Sequence, residues 1–223
     1  MRFLLYYFLF RVFLGNPLLA LLIITFIYLM VDRQFIGLLP DIFKPFKRKS
    51  RIKALKETVK LNPADVNAYK EIGQLYLEEK NYQEAINNFL KTLGKMGEYA
   101  DIHFYLGKAF YLQGQHEKGK EELLQALSIN SKVGYGEPYI YLLEAEIAGE
   151  KDRVEIKDLV EKIQRFGNPE ILYKAGNILL KYDVQLGKEL LKEAVETYKG
   201  IPRNFRKLHR RWAFFARLKL IKH

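Results

Sequence analysis

The 223-residue chain has no cysteine, which excludes a disulfide framework, a thiolate metal site and a cysteine nucleophile. Its histidines are four, His103, His116, His209 and His223, and no two stand at a zinc-binding spacing. There is no serine nucleophile elbow, no Walker-type phosphate loop and no kinase motif set. The one Gly-x-Gly, in Lys132–Pro138, has no preceding strand pattern and reads as a structural turn. Enzymatic activity is therefore not expected, and neither a cofactor nor a metal ion is called for. Acidic residues are also lacking at both ends: residues 1–56 hold ten Lys/Arg against Asp32 and Asp41 alone, and residues 199–223 hold nine Lys/Arg and no acid. The net charge of +11 thus flanks a middle stretch, 57–198, in which twenty-four acids exceed eighteen bases. Such a division does not resemble a nucleic-acid-binding domain with charge on one face; it reads more simply as basic edges next to lipid.

Between Phe3 and Val31 the only charged residue is Arg11, and Val12–Val31 gives twenty uncharged residues. That is about the length needed to cross a hydrocarbon layer of ~30 Å as a helix, so residues 1–33 are expected to form a membrane anchor. Asn16–Pro17 leaves two forms open: a single kinked span, or a short re-entrant hairpin of Phe3–Leu14 and Pro17–Val31. The basic flank Arg33–Lys53 predicts that the long C-terminal part lies in the cytoplasm, giving an N-terminally anchored protein of the inner (cytoplasmic) membrane. Residues 34–50, with Pro40 and Pro45 as breakers, read as a basic interfacial linker.

Self-comparison then finds a fixed interval. Gly73 recurs as Gly107, Ile72 as Leu106, Tyr76 as Phe110, Ala85 as Gly119 and Phe89 as Leu123, each 34 residues on. A period of that length signals stacked supersecondary units. Tyr69, Ile72, Gly73, Tyr76, Ala85 and Phe89, followed by the looser copy His103, Leu106, Gly107, Phe110, Gly119, Leu123 and Ala126, resemble the tetratricopeptide repeat (TPR), whose pattern is W-x2-L-G-x2-Y…A-x3-F…P. Lys80–Asn81–Tyr82 and Gly114–Gln115–His116 are the turns within each pair. Arg51–Pro63 reads as the second helix of an incomplete repeat, with Leu55, Thr58 and Leu61 in register. Pro138–Ala148 with Asp152–Phe166, and Pro169–Lys181 with Val184–Tyr198, read as two degenerate pairs. The expected fold is all-α: an N-terminal transmembrane helix or hairpin, a TPR-like solenoid over 51–198, and a basic C-terminal helix over 199–223.

The resemblance implies a non-enzymatic adaptor that takes a protein partner, a peptide segment or a helix, in the groove lined by first helices. On this sequence the groove residues are Asn67, Lys70, Gln74, Leu77, Phe104, Lys108, Tyr111 and Leu112. The tail places Phe205, Leu208, Trp212 and Phe215 on one helical stripe, read as the inward face of a cap on the last repeat. Its cations are placed, with those of the linker, against membrane lipid or another phosphate: Lys47, Arg48, Lys49, Arg51, Arg203, Arg206, Arg210 and Arg217. A regulatory protein bound to lipid or nucleic acid through this tail is the alternative function; nucleic acid is the less favoured partner.

Overall fold

The structure, a computed structural model, describes residues 11, 15–31, 44–149 and 153–222, without the side chains of Pro17 and Arg153. All regular structure among them is helical. In chain order the α-helices are α1 (Pro17–Val31), α2 (Lys44–Leu61), α3 (Val66–Glu78), α4 (Tyr82–Met96), α5 (Ala100–Leu112), α6 (His116–Ile129), α7 (Glu137–Ala148), α8 (Arg153–Phe166), α9 (Pro169–Leu179), α10 (Val184–Gly200) and α11 (Arg206–Lys222). A 3₁₀ turn, Val133–Gly136, precedes α7. The chain divides into two compact units, Met1–Asp41 with Pro202–Arg211, and Ile42–Ile201 with Trp212–His223.

In the first unit the expected transmembrane helix must be corrected. Among the described residues no helix is long and apolar enough to cross a membrane. The cause is local. Asn16 is not helical and its Oδ1 accepts from the Leu19 amide at 3.2 Å, a side-chain cap that starts α1 at Pro17. The 15 residues of α1, at a rise of about 1.5 Å each, span roughly 22 Å, short of the ~30 Å of a hydrocarbon core. The N-terminal anchoring, and the inner-membrane localisation with a cytoplasmic repeat domain drawn from it, lose their ground. α1 is apolar throughout, and Leu18, Leu21, Leu22 and Phe26 stand exposed. The hairpin's first arm, Arg11 apart, and residues 32–43 lie outside the described residues.

The second unit is built from antiparallel pairs, α3/α4, α5/α6, α7/α8 and α9/α10, with α2 packed on α3. Short polar residues set the helix starts: Asp65 caps α3, Asn81 caps α4, Asn168 caps α9 and Asp183 caps α10, each accepting from backbone amides of the first turn. Pro45, expected to break structure, sits in the first turn of α2, where its missing amide proton costs nothing. Lys44–Ser50 are therefore helical rather than linker. On α2, Ile52 and Leu55 are buried, whereas Leu61 is almost fully exposed and Thr58 turns its hydroxyl back to the Ala54 carbonyl.

The repeat positions are explained by how closely the paired helices cross. A Cβ at Gly73 would meet the Phe89 ring at 2.6 Å; one at Gly107 would stand 2.9 Å from the Gly119 carbonyl oxygen; one at Gly176 would stand 3.1 Å from the Gly187 carbonyl oxygen. Backbone thus meets backbone at Gly107/Gly119 and again at Gly176/Gly187, and large side chains fill in around the crossing: Phe89, Leu106, Leu123 and Leu191 are fully buried. His103, at the aromatic position of its repeat, ties three elements together. Its Nδ1 lies 2.6 Å from Glu122 Oε2 on α6, and its Nε2 lies 2.7 Å from the Gly97 carbonyl in the α4–α5 turn.

The tail helix turns a different face inward from the one expected. Phe205 and Leu208 are exposed, while Ala213 and Ala216 are buried and Trp212 and Phe215 half-buried. Ala216 belongs to the buried cluster of α7–α10, so the inward stripe is rotated onto the alanines. Trp212 and Phe215 then meet Tyr173 of α9 from the side, at 5.5 and 6.1 Å between ring centres.

Candidate partner groove

The first helices of successive pairs, α3, α5, α7 and α9, share one face of the second unit, and a cleft of ≈ 520 Å³ opens there. Its walls come from Gln74, Leu77 and Glu78 on α3, Phe104, Tyr105 and Lys108 on α5, and Glu137 on α7; Gly134–Tyr135 of the 3₁₀ turn and Asn168, Glu170 and Ile171 at the start of α9 complete it. A chain of ion pairs runs along this face. Lys70 of α3 pairs with Asp101 of α5. Lys108 of α5 reaches Glu137 Oε1 of α7 at 2.8 Å, and Lys174 of α9 approaches the same oxygen at 3.8 Å while bonding Glu170 at 2.8 Å. At the other rim Glu78 Oε2 receives Lys44 at 3.1 Å and Arg48 at 3.6 Å.

Two phenols, the buried Tyr141 and the half-buried Tyr105, anchor this polar ladder. Tyr141 donates its hydroxyl to Glu137 at 3.2 Å; burial first, and then the nearby Glu137 carboxylate, push its pKa well above the usual value. Tyr105 stacks on Phe89 at 5.7 Å and leans on Phe104 at 5.1 Å; burial raises its pKa, and a side-chain hydrogen bond with Gln74 opposes the rise. Both phenols therefore stay neutral through the physiological range and serve as fixed hydrogen-bonding groups.

The 3₁₀ turn supplies the one large exposed aromatic of the cleft. Gly134, Tyr135 and Gly136 are all left-handed, with φ of 60°, 53° and 83°. Glycine suits the two outer positions; at Gly134 a Cβ would also press the Phe104 ring at 3.0 Å. Tyr135 takes the same backbone region with a full side chain, which is 72% exposed.

Of the groove residues named from the repeat pattern, Gln74, Leu77, Phe104 and Lys108 line the cleft. Leu77 and Phe104 are nevertheless buried, and Lys108 is engaged by Glu137. Asn67 and Leu112 are exposed away from the cleft, Lys70 is held by Asp101, and Tyr111 packs against Tyr141 at 5.2 Å and His116 at 4.7 Å. Of the cations assigned to phosphate, Arg51 makes a two-point pair with Glu71 at 2.6 and 2.8 Å, and Arg48 is half-buried beside Glu78; Lys47, Lys49, Arg203 and Arg217 are exposed, and Arg206 and Arg210 half-exposed. Sequence reading took Lys132–Pro138, which holds Tyr135 and Glu137, for a structural turn and passed over Asn168 and Glu170. Pro138 beside two glycines was the available signal for them: proline near a helix start fixes where α7 begins and hence which residues reach the cleft.

No protein-family profile matches the chain. The TPR repeat-containing protein YpiA of Bacillus subtilis (strain 168) is 27% identical over 126 residues, which cover 56% of this chain and 29% of that protein. The match thus spans less than a third of that relative. Among solved structures, the MamA protein superposes with a TM-score of 0.53 at 18% identity over 70% of this chain and 88% of its own. YrrB, described as a TPR protein with an unusual peptide-binding site, superposes at 0.50 with 20% identity over 73% and 82%. Such identities carry the fold alone, and with the 34-residue register and the glycine crossings they lead to one statement. The helical array of this chain has the tetratricopeptide-repeat fold.

Proposed function

We propose that this chain is a non-enzymatic interaction adaptor that holds a peptide segment of a protein partner in the cleft between α3, α5, α7 and α9. The observation that carries the reading is the cleft itself: about 520 Å³ of open space, within the ~300–1,000 Å³ range of binding sites, on the face where apolar and polar groups converge. The peptide-binding site named for YrrB, which shares the fold, supports a peptide as the kind of partner. Gln74, Lys108 and Tyr135 are the side chains assigned to the partner, and Asn67, Lys70, Tyr111 and Leu112 are left to the fold and its surface.

The test is crosslinking mass spectrometry on the full-length chain in the cells that express it. A cleft variant, Gln74→Ala with Tyr135→Ser, is compared with a control on the opposite helices, Leu124→Ser. A defined set of partner peptides lost only from the cleft variant supports the reading; crosslinks unchanged in both variants refute it.

A second reading rests on the end of α11, where Arg217, Lys219 and Lys222 share the helix with the exposed Phe214, Leu218 and Ile221. Cations around apolar side chains suit a phosphate backbone with stacked bases. Tight, salt-sensitive binding of a single-stranded oligonucleotide, abolished by Arg217→Gln with Lys222→Gln, would favour it over the adaptor.

A further inference from the structure

The imidazole of His103 stands between two groups that accept hydrogen bonds. The Gly97 carbonyl can only accept, so the 2.7 Å contact at Nε2 requires a proton on that nitrogen. An ionised carboxylate also only accepts, so the 2.6 Å contact between Nδ1 and Glu122 Oε2 requires a second proton between those two atoms. A neutral imidazole carries one N–H and a carboxylate carries no proton. The tie thus holds one proton more than a neutral histidine and an ionised glutamate supply. Turning the ring over only moves the bare nitrogen from one acceptor to the other.

Burial keeps water from meeting this demand. The His103 side chain is 12% exposed and that of Glu122 25%, and a buried polar atom left facing an acceptor is costly. The charged groups that flank the pair are engaged elsewhere or turned to solvent. On α5, Asp101 pairs with Lys70. At the end of α4, Lys95 reaches the Ala64 carbonyl at 3.5 Å, and Glu98 and Tyr99 of the following turn are exposed. On α6, Lys118 lies over the Phe110 ring at 5.7 Å and Glu121 is exposed. Among the described residues no other charged side chain pairs with His103 or Glu122.

We infer that His103 and Glu122 form a proton-dependent clasp, closed while the shared proton is bound and opened as pH rises and the proton leaves. Histidine is the side chain whose charge ordinarily changes between about pH 5 and 8. The clasp therefore adds its stability in full on the acid side of that change and loses it as pH rises. It fastens the start of α5 to α6 and to the α4–α5 turn, one residue before Phe104 enters the cleft. The inference does not depend on what the cleft binds.

Glu122→Gln tests it, because the amide brings its own proton. Its N–H donates to Nδ1 of a neutral ring, whose Nε2–H keeps the Gly97 carbonyl. That variant should hold the clasp shut across the whole range. Urea midpoints of the full-length chain, followed by circular dichroism from pH 5 to 9, give the comparison. The parent midpoint should fall by about 0.5 M relative to that of Glu122→Gln over the range. His116, His209 and His223 are common to both proteins and cancel in the difference. In the parent alone, the ring ¹⁵N shifts of His103 should report loss of a proton over the interval in which the midpoint falls. Midpoints that run parallel from pH 5 to 9 overturn the clasp, as does a His103 ring that loses its proton without any change in the parent midpoint.

Discussion

Gly107→Ala is the substitution that probes the fold most directly. A methyl group there would lie 2.9 Å from three atoms of α6: the Gly119 carbonyl oxygen, the Leu123 amide nitrogen and Leu123 Cγ. Two of these are backbone, so no rotamer change relieves the clash and α5 must move off α6. Overpacking of this kind costs about 1–3 kcal/mol, and two backbone contacts place it near the top of that range. Alanine's better helix propensity returns about 1 kcal/mol, leaving a net loss of about 2 kcal/mol. For a chain of this size that corresponds to a fall in Tm of about 4–8 °C. The internal control is Gly94→Ala: Gly94 is an exposed helical residue of α4 with nothing within 4 Å of its missing Cβ. There the propensity gain acts alone, and Tm should rise by about 2–4 °C. Thermal and urea unfolding followed by circular dichroism read both. A Gly107→Ala protein as stable as the parent would refute the claim that the helices touch through their backbones at this point.

Lys80 and Gly114 occupy the same place in successive repeats, both left-handed, with φ of 61° and 92°. Lys80→Gly should therefore stabilise by about 1 kcal/mol and Gly114→Ala destabilise by a similar amount; equal signs in the same melts would contradict the turn geometry. Glu144 is half-buried, and burial holds its pKa above the ordinary 4.5, with Lys181 opposing. A raised acid pKa adds stability in full below 4.5 and loses it as pH rises through the folded-state value. Glu144→Gln should consequently gain stability over the parent as pH rises from 4 toward 8, a difference that urea midpoints would detect.

The repeat was legible because close crossings leave a chemical mark. Only glycine or alanine fits where two helices touch, and Gly73, Gly107 and Gly119 print that need into the sequence at a fixed interval. Over the C-terminal half the mark persists at Gly176 and Gly187, but the crossing comes one residue sooner, eleven apart instead of twelve, which blurs the register. The cleft was half legible. Gln74 and Lys108 follow from the period, whereas Tyr135 and Glu137 depend on three left-handed residues that no periodicity encodes. The anchor failed for a related reason: hydropathy counts residues, and one side-chain cap at Asn16 divides the count. In the tail, periodicity pointed to the large aromatics as the inward face, whereas the fully buried positions are Ala213 and Ala216, residues a hydrophobic stripe does not single out.

The buried cores of the second unit have a consequence for motion. One core joins α2 to α5 through residues such as Ile52, Ile72, Phe89 and Leu106, and another joins α7 to α11 through Leu143, Ile163, Leu172 and Leu191. Between them, among the described residues, stands a smaller cluster of Phe104, Leu123, Ala126, Val133 and Tyr141, joined to one core through Tyr105 and to the other through Leu127. The pair that follows, α7/α8, lacks the glycine crossing that stiffens α5/α6 and α9/α10. Local opening starts where the fewest apolar groups resist it, which here is the junction of α6 with the turn and α7. Tyr135 and Glu137 stand beside that junction, so opening there would widen the cleft between Glu78 and Glu170.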